Sequence, residues 1–261
     1  MSPLRLTPSF REKVWGATAL EPWFPNSTRK IGEVWFEGIP DPPLLIKFLF
    51  TSENLSVQVH PNDAFAMRHH NSCGKTEMWH ILAAEPGAKI AAGFRELLSA
   101  ERLEEAALSG EIETLLEWFD AAPGDTFFIP AGTVHAIGAG LTLCEIQQYS
   151  DVTYRLYDYG RPRELHLESA LAVSHLGRSR ARQKPLGERL VSCEHFTTTR
   201  LEIDQPRCHH RSSGGEFLIV IEGQGEVDGQ PSNAGDCWYV PAGTPAFDLS
   251  GRMVLLQTGN G

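Results

Sequence analysis

The chain has 261 residues, 33 acidic against 23 basic, and a formal charge of −10. That length supports one large domain or two modest ones around a substantial core. With that acidic balance nothing in the composition points to a nucleic-acid or anionic-membrane surface, and any phosphate group must be held locally.

Between 17 prolines and 24 glycines the apolar runs are short and β-rich, the texture of an all-β sandwich or barrel. The first forty residues read as irregular, and residues 31–36 are the first predicted strand. Leu44–Phe50 reads as a core strand interrupted by one lysine, Lys47. Ser52-Glu53-Asn54 then turns the chain into Ser56-Val57-Gln58-Val59-His60-Pro61. Its alternation predicts a strand with Ser56, Gln58 and His60 on one face. Residues two apart on a strand stand about 7 Å apart and point the same way, so Gln58 and His60 can converge on one cation. Taken alone, Gln-Val-His reads as an edge strand with a satisfied histidine; its neighbours in the chain argue otherwise.

Pro61-Asn62-Asp63 caps a short helix through Arg68, 69–74 is a polar loop, and 76–82 is the next strand. Residues 97–119 have helical spacing and predict a small helical insertion in a β domain. Strands resume at 125–130 and 141–148, a helix is predicted over 164–175, and 178–185 reads as a basic, solvated linker.

An internal repeat organises this list. Gly124-Asp-Thr-Phe-Phe-Ile-Pro130-Ala-Gly132-Thr-Val-His135 returns as Gly235-Asp-Cys-Trp-Tyr-Val-Pro241-Ala-Gly243-Thr-Pro-Ala246. A glutamate opens an apolar strand upstream of each copy, Glu77 and Glu216. The chain thus holds two copies of one β unit. Ala246 stands where the first copy has His135, and His209 and His210, as strand neighbours, point to opposite faces. The second unit therefore reads as structural.

Glu-x6-Gly followed by Gly-x5-Pro-x-Gly-x2-His resembles the two motifs of the cupin superfamily, small jelly-roll barrels. The resemblance implies an all-β fold of two cupin-type units: a catalytic unit over 1–180 with its helical insertion at about 97–119, and a degenerate unit over 181–261. It sharpens in Ile31-Gly32-Glu33-Val34-Trp35, Ser56 through Asp63, Gly74-Lys75-Thr76-Glu77-Met78-Trp79, Phe128 through Ile137, and Glu145 through Asp158. These look like the zinc-dependent type I mannose-6-phosphate isomerase family, in its short bacterial form, over roughly residues 10 to 175. What that resemblance implies is specific. Gln58, His60, Glu77 and His135 match the zinc ligands, Ser56 and Lys75 positions that hold the sugar phosphate, Arg155 the arginine beside the reacting carbons, and Glu145 an acidic residue of the pocket.

Two imidazoles, a carboxylate and a neutral amide suit one divalent ion, zinc first, with manganese, iron or cobalt as alternatives. The expected reaction interconverts mannose 6-phosphate and fructose 6-phosphate through a cis-enediol. Its proton shuttle is Glu145, a water on the metal, or His80. A non-catalytic metal- or sugar-binding cupin, or an isomerase of a related sugar, is the alternative. Ser56, Lys75 and Arg155 together argue against the binder. Five cysteines without a C-x-x-C pair, and prolines and charges in place of an apolar leader, fit a cytoplasmic protein with no membrane span. The resemblance implies a small sugar phosphate as partner, and the chain is expected to be a monomer or homodimer.

Overall fold

All seven residues of the strand Leu44–Phe50 are buried, so both of its faces must be covered. The computed structural model, which describes residues 1–178, 187–210 and 214–259, shows by what. On one side Ile46, Phe48 and Phe50 pack with Phe217, Ile219 and Leu256. On the other, Leu49 joins Trp79, Ile81, Ile90, Phe127 and Leu143. Three sheets are therefore stacked, with Leu44–Phe50 in the middle one.

The middle sheet has six strands, in the order Thr7–Ala17, Ile31–Glu37, Leu44–Phe50, Leu141–Gln148, Glu77–Ala84 and Thr126–Ile129. The five-stranded sheet facing it runs Tyr154–Tyr157, Val57–Val59, His135–Ile137, Lys89–Phe94 and Leu116–Asp120. These two form the first cupin-type unit. The eight-stranded sheet is built from the C-terminal region, including Glu216–Val227, Cys237–Val240 and Phe247–Gly259, together with the N-terminal strand Leu4–Arg5. The architecture is all-β, with 47% of residues in strands against 12% in helices.

Four helices cover the outer face of the first unit: Asp63–His70, Ala100–Ser109, Ile112–Leu115 and Leu167–Val173. Leu103, Ala106, Ile112 and Ala170 bury Val57, Val59 and Ala136, the outward side chains of the five-stranded sheet. Because the valines face the helices, strand alternation turns Gln58 and His60 toward the barrel interior. Asn62 caps Asp63–His70 by accepting from the Phe65 amide, and Ser99 caps Ala100–Ser109 by accepting from that of Arg102.

Several expectations need correction. Thr7–Ala17 is an eleven-residue strand rather than irregular chain; it is mostly exposed and held by its ladder to Ile31–Glu37. Lys89–Phe94 is a further strand that the sequence reading did not include. The insertion is helical only to Leu115: Leu116–Asp120 pairs with Lys89–Phe94, and that pairing overrides its helical spacing. The later helix is shorter than 164–175, spanning Leu167–Val173. Residues 179–185 of the expected linker, and the expected boundary near 180, lie outside the described residues.

In the second unit Ala246 has no imidazole to offer, and His209 Nε2 lies 2.7 Å from Glu216 Oε1. Gln257 donates to the other Glu216 oxygen at 2.6 Å. The two Glu-opened strands of the repeat thus end in different chemistry. A cavity of about 740 Å³ lies between the units, lined by Trp23, His80, Arg200, Ile221 and Glu222 among others.

Candidate metal centre and its surroundings

The Val57–Val59 strand brings His60 to its end, and the turn at Gly132 bonds back to it through the Gly132 amide and the His60 carbonyl, 2.8 Å. Gly132 has φ +87, a left-handed value that suits glycine, and a Cβ there would meet the His175 ring at 2.8 Å. The turn delivers His135 directly opposite Gln58 in an antiparallel register, and Arg155 is opposite Gln58 on its other side. Arg155, Gln58 and His135 therefore form one row across the five-stranded sheet. Glu77 comes from the facing sheet, where it pairs with Gln147.

His60, Glu77 and His135 meet there, with one ligand atom from each within 4.8 Å of the others. All three are at most 1% exposed. His60 Nε2 is 3.5 Å from Glu77 Oε2, and His135 Nε2 is 3.5 Å from Glu77 Oε1. The tautomers are set from behind. His60 Nδ1 faces the Val152 carbonyl at 3.1 Å and His135 Nδ1 the Thr133 carbonyl at 2.8 Å. A carbonyl only accepts, so each Nδ1 carries the hydrogen and each Nε2 presents a lone pair toward the carboxylate. Glu77 Oε1 and His135 Nε2 are both buried without a hydrogen-bond partner among the described residues. Two unpartnered electron pairs aimed at each other in a dry interior are the signature of a cation site.

The electrostatics agree. Burial, with Lys75 adding to it, pushes the His60 imidazole down to about 3, and burial lowers that of His135 as well, so both are neutral. Burial would raise the Glu77 carboxyl, but the Lys75 ammonium beside it holds it well below the usual carboxylate range. Burial likewise opposes the Lys75 ammonium, yet Glu77 and Glu145 outweigh it and keep the amine charged.

Lys75 does not stand apart from the cluster. Its Nζ is 3.0 Å from Glu77 Oε2 and 3.0 Å from His60 Nε2. Ser56, two positions before Gln58, is buried, and Gln58 itself is half-buried. Arg155 is half-buried, with Nη1 donating to the Glu164 carbonyl at 2.7 Å. Glu145 is buried, with one oxygen 2.8 Å from Lys47 Nζ and the other accepting from the Trp79 indole at 2.9 Å. His80 is removed from the site: alternation puts it on the opposite face of its strand from Glu77 and Trp79, where it bonds Thr126 Oγ1 at 3.0 Å and lines the cavity between the units. It is no candidate for the proton shuttle.

With this geometry in hand, the chain can be set beside known proteins. No family model matches it. The mannose-6-phosphate isomerase ManA of Bacillus subtilis (strain 168) is 32% identical, over 95% of this chain and 96% of that protein. The chain belongs to the mannose-6-phosphate isomerase family. The mannose-6-phosphate isomerase of Streptococcus mutans is also 32% identical, over 86% of each chain. The crystal structure of the mannose 6-phosphate isomerase from Bacillus subtilis superposes with a TM-score of 0.88 at 28% identity, covering 99% of this chain and all of that one.

For a member of the mannose-6-phosphate isomerase family, the site contains three residues to which sequence reasoning gave no role, Lys47, Trp79 and Gln147. Lys47, Glu145 and Trp79 occupy one row of the six-stranded sheet, and Gln147 and Glu77 the next. Lys47 Nζ also reaches Gln147 Oε1 at 2.6 Å. The Trp79 ring packs edge-on to His135, with centroids 5.3 Å apart. Lys47 did leave a signal, since a single charge inside a doubly buried apolar strand must find a partner.

Proposed function

We propose that this chain interconverts mannose 6-phosphate and fructose 6-phosphate at a single divalent metal, zinc being the ion that two imidazoles and a carboxylate suit best. The observation that carries the reading is the convergence of His60, Glu77 and His135, with Glu77 Oε1 and His135 Nε2 left unpartnered in the barrel. Their donor set fits such an ion, and Gln58, in register opposite His135, would add an amide oxygen. When bound, the ion would act as a Lewis acid toward the sugar oxygens.

The chain's own residues supply the rest. Isomerisation moves the C2 proton of the open-chain aldose to C1 through a cis-enediol, while the proton on O2 passes to O1, so that O1 becomes a hydroxyl and O2 the ketone carbonyl oxygen. Glu145 is the base for that transfer. Lys47 and the Trp79 indole hold one oxygen each, which fixes the carboxylate's orientation, and each oxygen keeps a second lone pair for the proton. Arg155, in the row of Gln58 and His135, stabilises negative charge growing on the enediol oxygens, an effect commonly worth several kcal/mol in a water-excluded site. Lys75 and Ser56 hold the phosphate, the ammonium acting as a point charge beside the cluster. A hydrophobic barrel wall of Leu49, Ile81, Ile90, Phe127 and Leu143 excludes bulk water from the enediol.

A coupled assay for fructose 6-phosphate formed from mannose 6-phosphate tests the reading. Turnover of mannose 6-phosphate well above that of free mannose is expected. A chain that binds one divalent ion yet produces no ketose phosphate would leave only a metal-binding cupin.

A further inference from the structure

Beyond Tyr157 the chain makes a tight return, 158–166, that closes on Arg155. Asp158 lies at its centre and is only 2% exposed. It accepts from Arg163 through Nε at 2.5 Å and Nη2 at 2.6 Å, and from Arg161 Nη1 at 3.1 Å. Arg161 in turn donates to the Asn54 carbonyl at 2.8 Å, tying the knot to the turn that precedes Ser56. One buried carboxylate thus gathers two guanidinium groups, one of them in a two-point fork that fixes direction as well as distance.

We propose that Asp158, acting through Arg163, is a positioning residue for the Arg155 guanidinium; the inference rests on the isomerase reading above. The return brings the Glu164 carbonyl to Arg155 Nη1, 2.7 Å, and His166 against the Arg155 backbone. The His166 amide donates to the Arg155 carbonyl at 2.8 Å, and the Arg155 amide donates to His166 Nδ1 at 3.1 Å. Arg155 is therefore gripped at its amide, its carbonyl and one guanidinium nitrogen by groups whose placement depends on the Asp158 knot. Asp158 bonds Arg161 and Arg163 and leaves Arg155 to the backbone, so among the described residues no carboxylate ties up the Arg155 charge. Arg155 Nε is buried without a partner among the described residues, a donor free for an oxygen of a ligand.

The return is held against strain. Tyr159, a bulky residue, has φ +54, followed by Gly160 at φ +76. A side chain in that region persists only where surrounding contacts impose it. The contacts here are the Asp158 fork and the Arg161 guanidinium over the Tyr159 ring at 5.6 Å. Relaxing them lets Tyr159 return to negative φ, which re-aims Glu164 and with it Arg155. A misplacement of about 1 Å at a group that contacts the reacting atoms can cost on the order of a hundredfold in rate.

The test is a double-mutant cycle on the full chain, with metal content and melting temperature measured for every variant. Asp158→Asn and Arg163→Lys should each lower kcat by about tenfold or more, with KM and metal content little changed, because a lysine keeps the charge but loses the fork. In an Arg155→Ala background, Asp158→Asn should have almost no further effect on kcat, since the group it positions is gone. Effects that multiply in the double variant, or an unchanged kcat in both single variants, overturn the inference while leaving the isomerase reading intact. A wild-type chain without isomerase activity overturns both. Should Asp158→Asn not fold, the cycle is run with Arg163→Lys, which decides in the same way.

Discussion

Lys47 Nζ lies 2.8 Å from Glu145 Oε1 inside the barrel, across a single step of the ladder between Leu44–Phe50 and Leu141–Gln148, with both side chains about 5% exposed. The pair is held on its flanks by the Trp79 indole on Glu145 and by Gln147 on Lys47. A buried pair of this kind contributes little net stability over an apolar one, but losing one partner strands a charge.

Lys47→Met should therefore destabilise the fold by about 3–5 kcal/mol, read from denaturant unfolding. Adding Glu145→Gln should recover part of that loss, since a neutral amide needs no counter-charge and can still accept from Trp79. Equal stability of the single and double variants would mean that the pair is not coupled in this way. Both variants should lose most isomerase activity, because the proposed base is misplaced or removed.

His80 predicts a pH effect on stability. Burial, with Arg200 adding to it, lowers its folded pKa to about 4 from an ordinary value near 6.5. The folded state favours the neutral imidazole, so the unfolded chain takes up more protons between those values. This contribution is complete above about pH 6.5 and is lost as pH falls toward 4, at most about 3 kcal/mol. His80→Gln should flatten the unfolding free energy across that window, measured from pH 4 to 7. A slope unchanged by the substitution would assign the acid sensitivity elsewhere.

The two units share one apolar core, in which Phe217 of the eight-stranded sheet packs with Ile46, Phe48 and Met78 of the six-stranded sheet. Phe217→Ala should cost about 3–5 kcal/mol by opening a cavity there. Thermal unfolding by calorimetry should remain a single transition in both wild type and variant, because neither sheet keeps its covered face without the other. Two resolved transitions in the wild type would show that the units fold independently.

The legible part of this protein was local. Ser56, Gln58 and His60 share a face because a strand alternates, and Glu77 and the Gly132–His135 turn stand in motifs whose spacing survives in the sequence. Lys47 was visible as an interruption in an apolar strand, but its partner Glu145 is 98 residues away and becomes a neighbour only through sheet pairing. Leu116–Asp120 misled for the opposite reason: Leu115, Leu116, Trp118 and Phe119 have helical spacing, and only the ladder to Lys89–Phe94 makes the segment a strand. Thr7–Ala17 buries few side chains, so no apolar pattern announces it. His80 was one of three candidates for the proton shuttle, but three residues along a strand from Glu77 is the opposite face.

His135→Ala removes an imidazole whose Nε2 faces Glu77 Oε1, and should abolish stoichiometric metal binding while leaving the fold in place, as read by metal analysis and circular dichroism. Retention of one ion per chain would take His135 out of the ligand set.

The most direct test strips the wild-type chain with a chelator and titrates zinc back while following fructose 6-phosphate formation from mannose 6-phosphate. The account predicts that activity disappears on stripping, rises in proportion to added zinc, and stops rising at one ion per chain. Full activity in protein shown by metal analysis to be stripped, or a plateau only at two ions per chain, would contradict a single centre built from His60, Glu77 and His135.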